Sequence, residues 1–289
     1  MTIEPDDKTP ATSTDITVAN ASTSLAVTNT EISFEDDAGM GMENIDNSML
    51  LLPFLLVAQS MSPYLKKTEP SFIKGLEEGF LLNTATKKFW DGNHLDADAG
   101  INLVPCNILP KSIEWKPRSA GGGIVKVWDD NSYKQDPRYV KATKGSKIIT
   151  PEGNEIVEYL DLFCIYQDRK THEFGRILYS AKSTSIKYVR QLLSALTAIK
   201  LPSKKFEGRF FQPPLFYSAV RMSTVMEKNN DGSWAAPKFE IVGQTTDLQH
   251  GDDIYNAAKK FSDEIRSGSA KVDDRGREKA VEIDEDTPF

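Results

Sequence analysis

Between Gly79 and Thr245 most hydrophobic positions fall in short runs rich in β-branched and aromatic residues, separated by Gly, Pro and Asn. This pattern predicts strands over 79–83, 101–117, 124–128, 146–150, 156–167, 175–182, 215–227 and 238–245. From Glu158 to Tyr166 both faces are mostly apolar, the mark of a central strand. Gln167 to Phe174 reads as a polar hairpin loop, and Lys228 to Trp234 as a Gly-containing hairpin connection. The period changes to that of a helix twice. Ile186, Val189, Leu192, Leu193, Leu196 and Ile199 form one stripe over 185–199, capped by Ser183 or Thr184 and stopped by Pro202. Ile254, Ala257, Ala258, Phe261 and Ile265 form a second, opened by Asp252 or Asp253 and ending near Arg266. The apolar run Met49 to Ala58, capped by Asn47 or Ser48, is too short to cross a bilayer. With Pro53 inside it, the run predicts a short or kinked buried helix. Together these elements predict a mainly β fold with inserted helices (α+β). A meander of about seven or eight strands fits an OB-type β-barrel with elaborations, and a mixed sheet of another topology is the alternative.

Charge divides the chain into three parts. Residues 1–47 hold ten acidic side chains against Lys8 alone, and residues 268–289 hold seven acidic against four basic. The overall charge of −7 therefore hides a body, residues 48–267, that carries +5 from 30 Lys and Arg against 25 Asp and Glu. Met1 to Ile32 has no aromatic residue and too little apolar content to order itself. Phe34 to Gly39 continues it as an acidic patch, read as a solubilising linker or, less simply, as a DNA mimic. We read residues 1–47 as a disordered acidic arm, 48–267 as a basic OB-like DNA-binding core and 268–289 as a disordered acidic tail. A basic body with acidic ends is the layout of a nucleic-acid binder that screens its own site. Cys106 and Cys164 lie in apolar runs without metal-ligand spacing, which predicts buried thiols in a reducing compartment. With no secretory signal pattern and no long apolar run, the expectation is a cytoplasmic protein, or one in a host's cytoplasm if viral, with no membrane partner.

Basic and aromatic side chains interleave repeatedly. The groups are Lys87 and Lys88 with Trp90; Trp115 and Lys116 with Arg118; Lys126 with Trp128; Tyr133 and Lys134 with Arg138, Tyr139 and Lys141; and Lys205 and Arg209 among Lys204, Phe206, Phe210 and Phe211. Single-strand binding needs cations along the phosphates and flat rings under the bases. For any one ring a place in the core is the competing reading. Catalytic patterns are sparse. Gly121 to Gly123 precedes a strand and lacks the Lys of a phosphate loop. His94, His172 and His250 are far apart, so neither a metal nor a cofactor is expected. Asp161 with Lys182 is the only pairing that suggests a nuclease.

Glu282, Asp284, Glu285 and Asp286 precede Thr287, Pro288 and Phe289. An acidic run before a Pro-Phe end suits capture by a partner that buries the ring and pairs with the carboxylates. The stretch resembles the C-terminal tip of bacterial single-stranded DNA-binding proteins and their phage counterparts, except that Thr287 stands where the family usually has an apolar residue. The resemblance implies that Asp284, Glu285, Asp286, Pro288 and Phe289 recruit replication and repair proteins and compete with DNA for the protein's own groove. The Pro53-Phe54-Leu55 to Ser62-Pro63 arrangement resembles a family of tailed-phage proteins encoded near replication genes. The function these readings predict is that of a non-catalytic protein coating single-stranded DNA in replication, recombination and repair. A single-strand annealing or recombination mediator protein is the related alternative. A metal-dependent nuclease or DNA-modifying accessory enzyme, or a scaffolding protein that binds no DNA, are those of other classes. Homo-oligomerisation is left open.

Overall fold

The structure is a computed structural model and describes residues 40–42, 50–136, 139, 148–230, 232–270, 272–274 and 277. The chain divides into Met1–Asn44 and Ile45–Phe289, and the elements below all belong to the second unit. They are, in order, β1 (Phe54–Val57), β2 (Leu81–Asn83), β3 (Phe89–Trp90), β4 (Ile101–Trp115), β5 (Ile124–Trp128), β6 (Ile148–Ile149), β7 (Glu155–Asp168), β8 (Phe174–Lys182), α1 (Ile186–Ala198), β9 (Leu201–Pro202), β10 (Phe210–Phe211), β11 (Ser218–Lys228), β12 (Ser233–Gln244) and α2 (Gly251–Arg266). The fold is thus mainly β with two helices.

Ten strands make one sheet in the order β12-β11-β4-β7-β8-β1-β2-β3, with β5 also on β4 and β6 also on β7. β4 and β7 pair along their whole lengths and form its spine. Pro105 and Pro110 are tolerated inside the long strand β4 for local reasons. Pro105 adjoins a bulge at Cys106, and both prolines lie between the stretch that pairs β11 and the stretch that pairs β5. Side chains alternate along β7, so Leu162 and Cys164 enter one cluster while Phe163 and Ile165 enter another. The helices cover these two faces. Val189, Leu192 and Leu196 of α1 pack with Leu55, Leu81, Leu103, Ile177 and Met222. Ile254, Ala258, Phe261 and Ile265 of α2 pack with Val104, Cys106, Phe163 and Leu178. This is why the central strand reads as apolar on both sides.

The sheet is strongly curled, and the segments that follow β1 and β3 reach back to β12 and β11 in a seam. Thr224 of β11 donates its N–H to the Gly92 carbonyl at 2.6 Å and its hydroxyl to that of Gly79 at 2.7 Å, and its own carbonyl accepts from His94 N–H. The Gln59 side chain bonds both backbone groups of Ala235, at 2.9 and 3.0 Å, as a neighbouring strand would. A Cβ on Gly92 would overlap the Gly79 carbonyl, and one on Gly100 the Met222 carbonyl, so the seam closes only with glycine at these positions.

Several expectations need correction. Met49 to Ala58 was expected to be helical; its described part contains strand β1, paired antiparallel to β2 and parallel to β8. The reason is non-local: the strands on either side satisfy the backbone that a helix would have satisfied internally. Its place in the core is as expected. The strands do not form a simple meander, since β8 neighbours β1 and β11 neighbours β4. The cap of α1 falls on Ser185 instead of Ser183 or Thr184, and α2 opens at Gly251 with Asp252 and Asp253 in its first turn.

The tail boundary at 268 also moves. Ala270 and Val272 pack beside α2, and Arg277 is almost fully buried. Its guanidinium binds both oxygens of buried Asp161, the Ser180 hydroxyl and Asp274, lying about 5 Å from the ring centroids of Phe54 and Tyr159. Lys111 holds Asp274 from the other side at 3.1 Å. Replacing Arg277 by Ala strands a buried carboxylate, and we expect unfolding in urea to reveal a loss of about 3–5 kcal/mol. Arg277→Met combined with Asp161→Leu should recover most of that loss, because an apolar pair leaves no charge behind.

Candidate nucleic-acid interface

The first basic-aromatic group is a clamp. Trp90 is buried and donates its indole N–H to Asp168 Oδ2 at 2.8 Å. Lys88 bridges Asp168 at 2.8 Å and Glu173 at 2.6 Å. The other Asp168 oxygen caps the β7–β8 loop by accepting from the N–H groups of Lys170 and Thr171. Burial alone would raise the Asp168 pKa, but the Lys88 ammonium, these N–H groups and the Trp90 indole outweigh it and hold the carboxyl well below its usual range. The Lys88 pKa is lowered by burial and raised more strongly by Asp168 and Glu173, for a net rise. Lys87 is exposed, with its ammonium 4.9 Å from the Tyr64 ring centroid.

The second region is an aromatic box. Trp128 lies edge-on to Tyr139 at 5.1 Å and beside Tyr133 at 6.0 Å. The Tyr133 hydroxyl donates to Glu158, which also pairs with Lys134 at 2.6 Å. The Tyr139 hydroxyl donates to Glu114. Lys126 is exposed and caps the Trp128 ring at 4.7 Å. Trp115 is buried in a different cluster with Ile113 and Tyr159. Lys116 is exposed beside it, and Arg118 opens the short turn between β4 and β5. Arg138 and Lys141 lie outside the described residues, as do Asp284, Glu285, Asp286, Pro288 and Phe289. In both regions the rings named from sequence belong to the core, and Lys88 and Lys134 are already ion-paired.

The third group differs. β9 and β10 form a small hairpin, a finger that leaves the end of α1, with Phe210 opposite Pro202 and Phe211 opposite Leu201. Its turn is held by the Ser203 hydroxyl, which accepts from the N–H groups of Lys205 and Phe206, and by Ser203 N–H donating to the Arg209 carbonyl at 2.8 Å. Phe206, Phe210 and Phe211 are 59%, 69% and 47% exposed. Lys204, Lys205 and Arg209 are exposed beside them and form no ion pair among the described residues. Arg209 lies 5.5 Å from the Phe206 ring centroid. Lys200, at the base, donates to the Gln212 amide oxygen at 3.2 Å. Lys205 and Arg209 were named from sequence. The rings that complete the site were visible there only as neighbours of those cations.

The carboxylate-lysine pair considered for a nuclease is not open, since Arg277 and Ser180 occupy Asp161. No helix among the described residues is long and apolar enough to cross a membrane.

Fold and surface together define a β-rich α+β protein with a curled sheet and a protruding basic-aromatic finger. The model of the Pam3 phage gp34-like protein family matches residues 21–271, and the chain belongs to that family. No curated protein and no solved structure matches it.

The clamp gives a pH test. A carboxyl with a lowered folded-state pKa stabilises fully above its unfolded value of about 3.9, and the stabilisation is lost as pH falls through the folded-state pKa. Asp168→Asn should therefore lower the urea midpoint at neutral pH, and its gap to the unmodified chain should narrow below about pH 4. A gap independent of pH would mean that the charge of Asp168 is not what holds β3.

Proposed function

We propose that the chain is a non-catalytic single-stranded DNA-binding protein whose β9–β10 finger stacks bases. The observation that carries this reading is the coincidence of three exposed phenylalanine rings with cations that have no carboxylate partner among the described residues. Three large apolar rings exposed on one short hairpin are costly in water and mark a surface that meets something. Rings flanked by free cations suit a polyanion with flat apolar faces, which is what an unpaired nucleic-acid strand offers. In a duplex those faces are stacked on one another and closed to the finger. The curled sheet would serve as the rigid frame that an OB-type barrel provides in other single-strand binders, here with ten strands where an OB barrel has five. Recruitment of replication and repair proteins through the acidic stretch ending in Pro288 and Phe289 completes the proposal.

Fluorescence anisotropy with single-stranded and duplex oligonucleotides tests it. Single strands should bind much more tightly, and the log-log salt slope should be about −0.7 per phosphate contacted. Phe210→Ala and Phe211→Ala should each weaken binding by roughly 1–3 kcal/mol while leaving the fold unchanged, because both rings are already in solvent. Equal affinity for duplex, or indifference to both substitutions, would overturn the reading.

A further inference from the structure

A recess lies along α1, between the helix and the β11–β12 hairpin, with a volume of about 540 Å³. That is within the range of roughly 300–1,000 Å³ typical of small-molecule sites. Tyr188, Gln191, Leu192 and Ala195 line it from the helix, at positions that share one face. Phe239 and Ile241 of β12 form part of the opposite wall.

Its polar edges are few and specific. The Gln191 amide is exposed and forms no hydrogen bond among the described residues, leaving a donor and an acceptor open. His94, also in the lining, has Nδ1 3.2 Å from the Thr224 carbonyl. A carbonyl only accepts, so Nδ1 carries the proton, and in the neutral ring Nε2 remains an acceptor. Lys238, paired with Glu240 at 3.0 Å, adds a cation to the lining. Apolar walls with a few donors and acceptors at their edges match a nucleobase.

The finger follows the same helix that lines the recess. Ala195 precedes Lys200 by five residues, about 7.5 Å if the helical rise is carried through, and β9 starts at the next residue. Exposed Lys200 and the finger cations, which follow α1 in the chain, carry the charge that a phosphate backbone needs.

We propose that the α1–β12 recess receives an unstacked nucleobase from the same single strand that the finger holds. The proposal rests on the single-strand reading above and adds a specific pocket to it. Splaying one base out of a strand and reading its edge is a common mode of single-strand recognition.

The test fills the recess. Ala195→Trp places a bulky ring where the base would sit, on an exposed helical position whose present side chain is small. Anisotropy would compare an oligothymidylate of about 12 nucleotides with an abasic strand of equal length, which keeps every phosphate. Ala195→Trp should weaken oligothymidylate binding about tenfold and leave the abasic strand and the salt slope unchanged. Gln191→Trp, on the same helical face, should act alike and replaces Ala195→Trp if circular dichroism shows that variant misfolded. Unchanged oligothymidylate affinity in a folded variant, or equal weakening of both strands, overturns the pocket while the finger reading stands. If the unmodified chain binds neither strand, the single-strand reading fails and the pocket with it.

Discussion

The sheet is strongly curled, and where the segment after β3 reaches β11 the contact is backbone against backbone. Thr224 reaches the carbonyls of Gly92 and Gly79 with its N–H and hydroxyl, which leaves no room for a side chain at Gly92. One face of this sheet is covered by the apolar stripe of α1. The seam also limits exposed edge. Along β12 the Gln59 amide occupies Ala235, and Pro237 two residues on has no N–H to offer, so the edge is a poor template for another strand.

Polar chemistry within this frame is mostly structural. Asp161 is matched by Arg277 from the far end of the described chain, and Asp168 by Lys88 and Trp90. Each arrangement buries a carboxylate that would be costly alone and joins segments distant in sequence. A net charge of +5 over the body therefore does not count free cations. Lys88 and Lys134 are held by carboxylates, whereas Lys204, Lys205 and Arg209 meet no carboxylate among the described residues.

Where pattern was periodic, the fold was legible. β5 falls on the predicted residues, and β4, β7 and β8 differ from prediction by only a residue or two at their ends, because alternation and β-branching are local signals. Both helices follow their apolar stripes for the same reason. β1 was not legible, since a continuous apolar run has no period and its partner β8 lies more than a hundred residues away. The packing of Arg277 was hidden likewise: a charged residue in an acidic tail looks solvated until Asp161, 116 residues earlier, is seen to face it. For the candidate interface, adjacency of Lys and Trp in sequence could not reveal that Trp90, Trp115 and Trp128 point inward.

This difference decides which aromatic residues inform about binding. A tryptophan beside a lysine satisfies two demands of folding at once, since the ring fills the core while the ammonium reaches solvent or covers the ring, as Lys126 does over Trp128. The finger meets no such demand. Two-residue strands are too short to be stable on their own, and this pair is fixed by α1 at one end and buried Pro213 at the other. Phe206, Phe210 and Phe211 are nonetheless exposed, so core packing does not account for them. Phenylalanine loses little side-chain freedom on binding, having only two χ angles, which makes such rings effective anchors for a flat partner. The rings that folding leaves unexplained are therefore the ones on which a functional reading should rest.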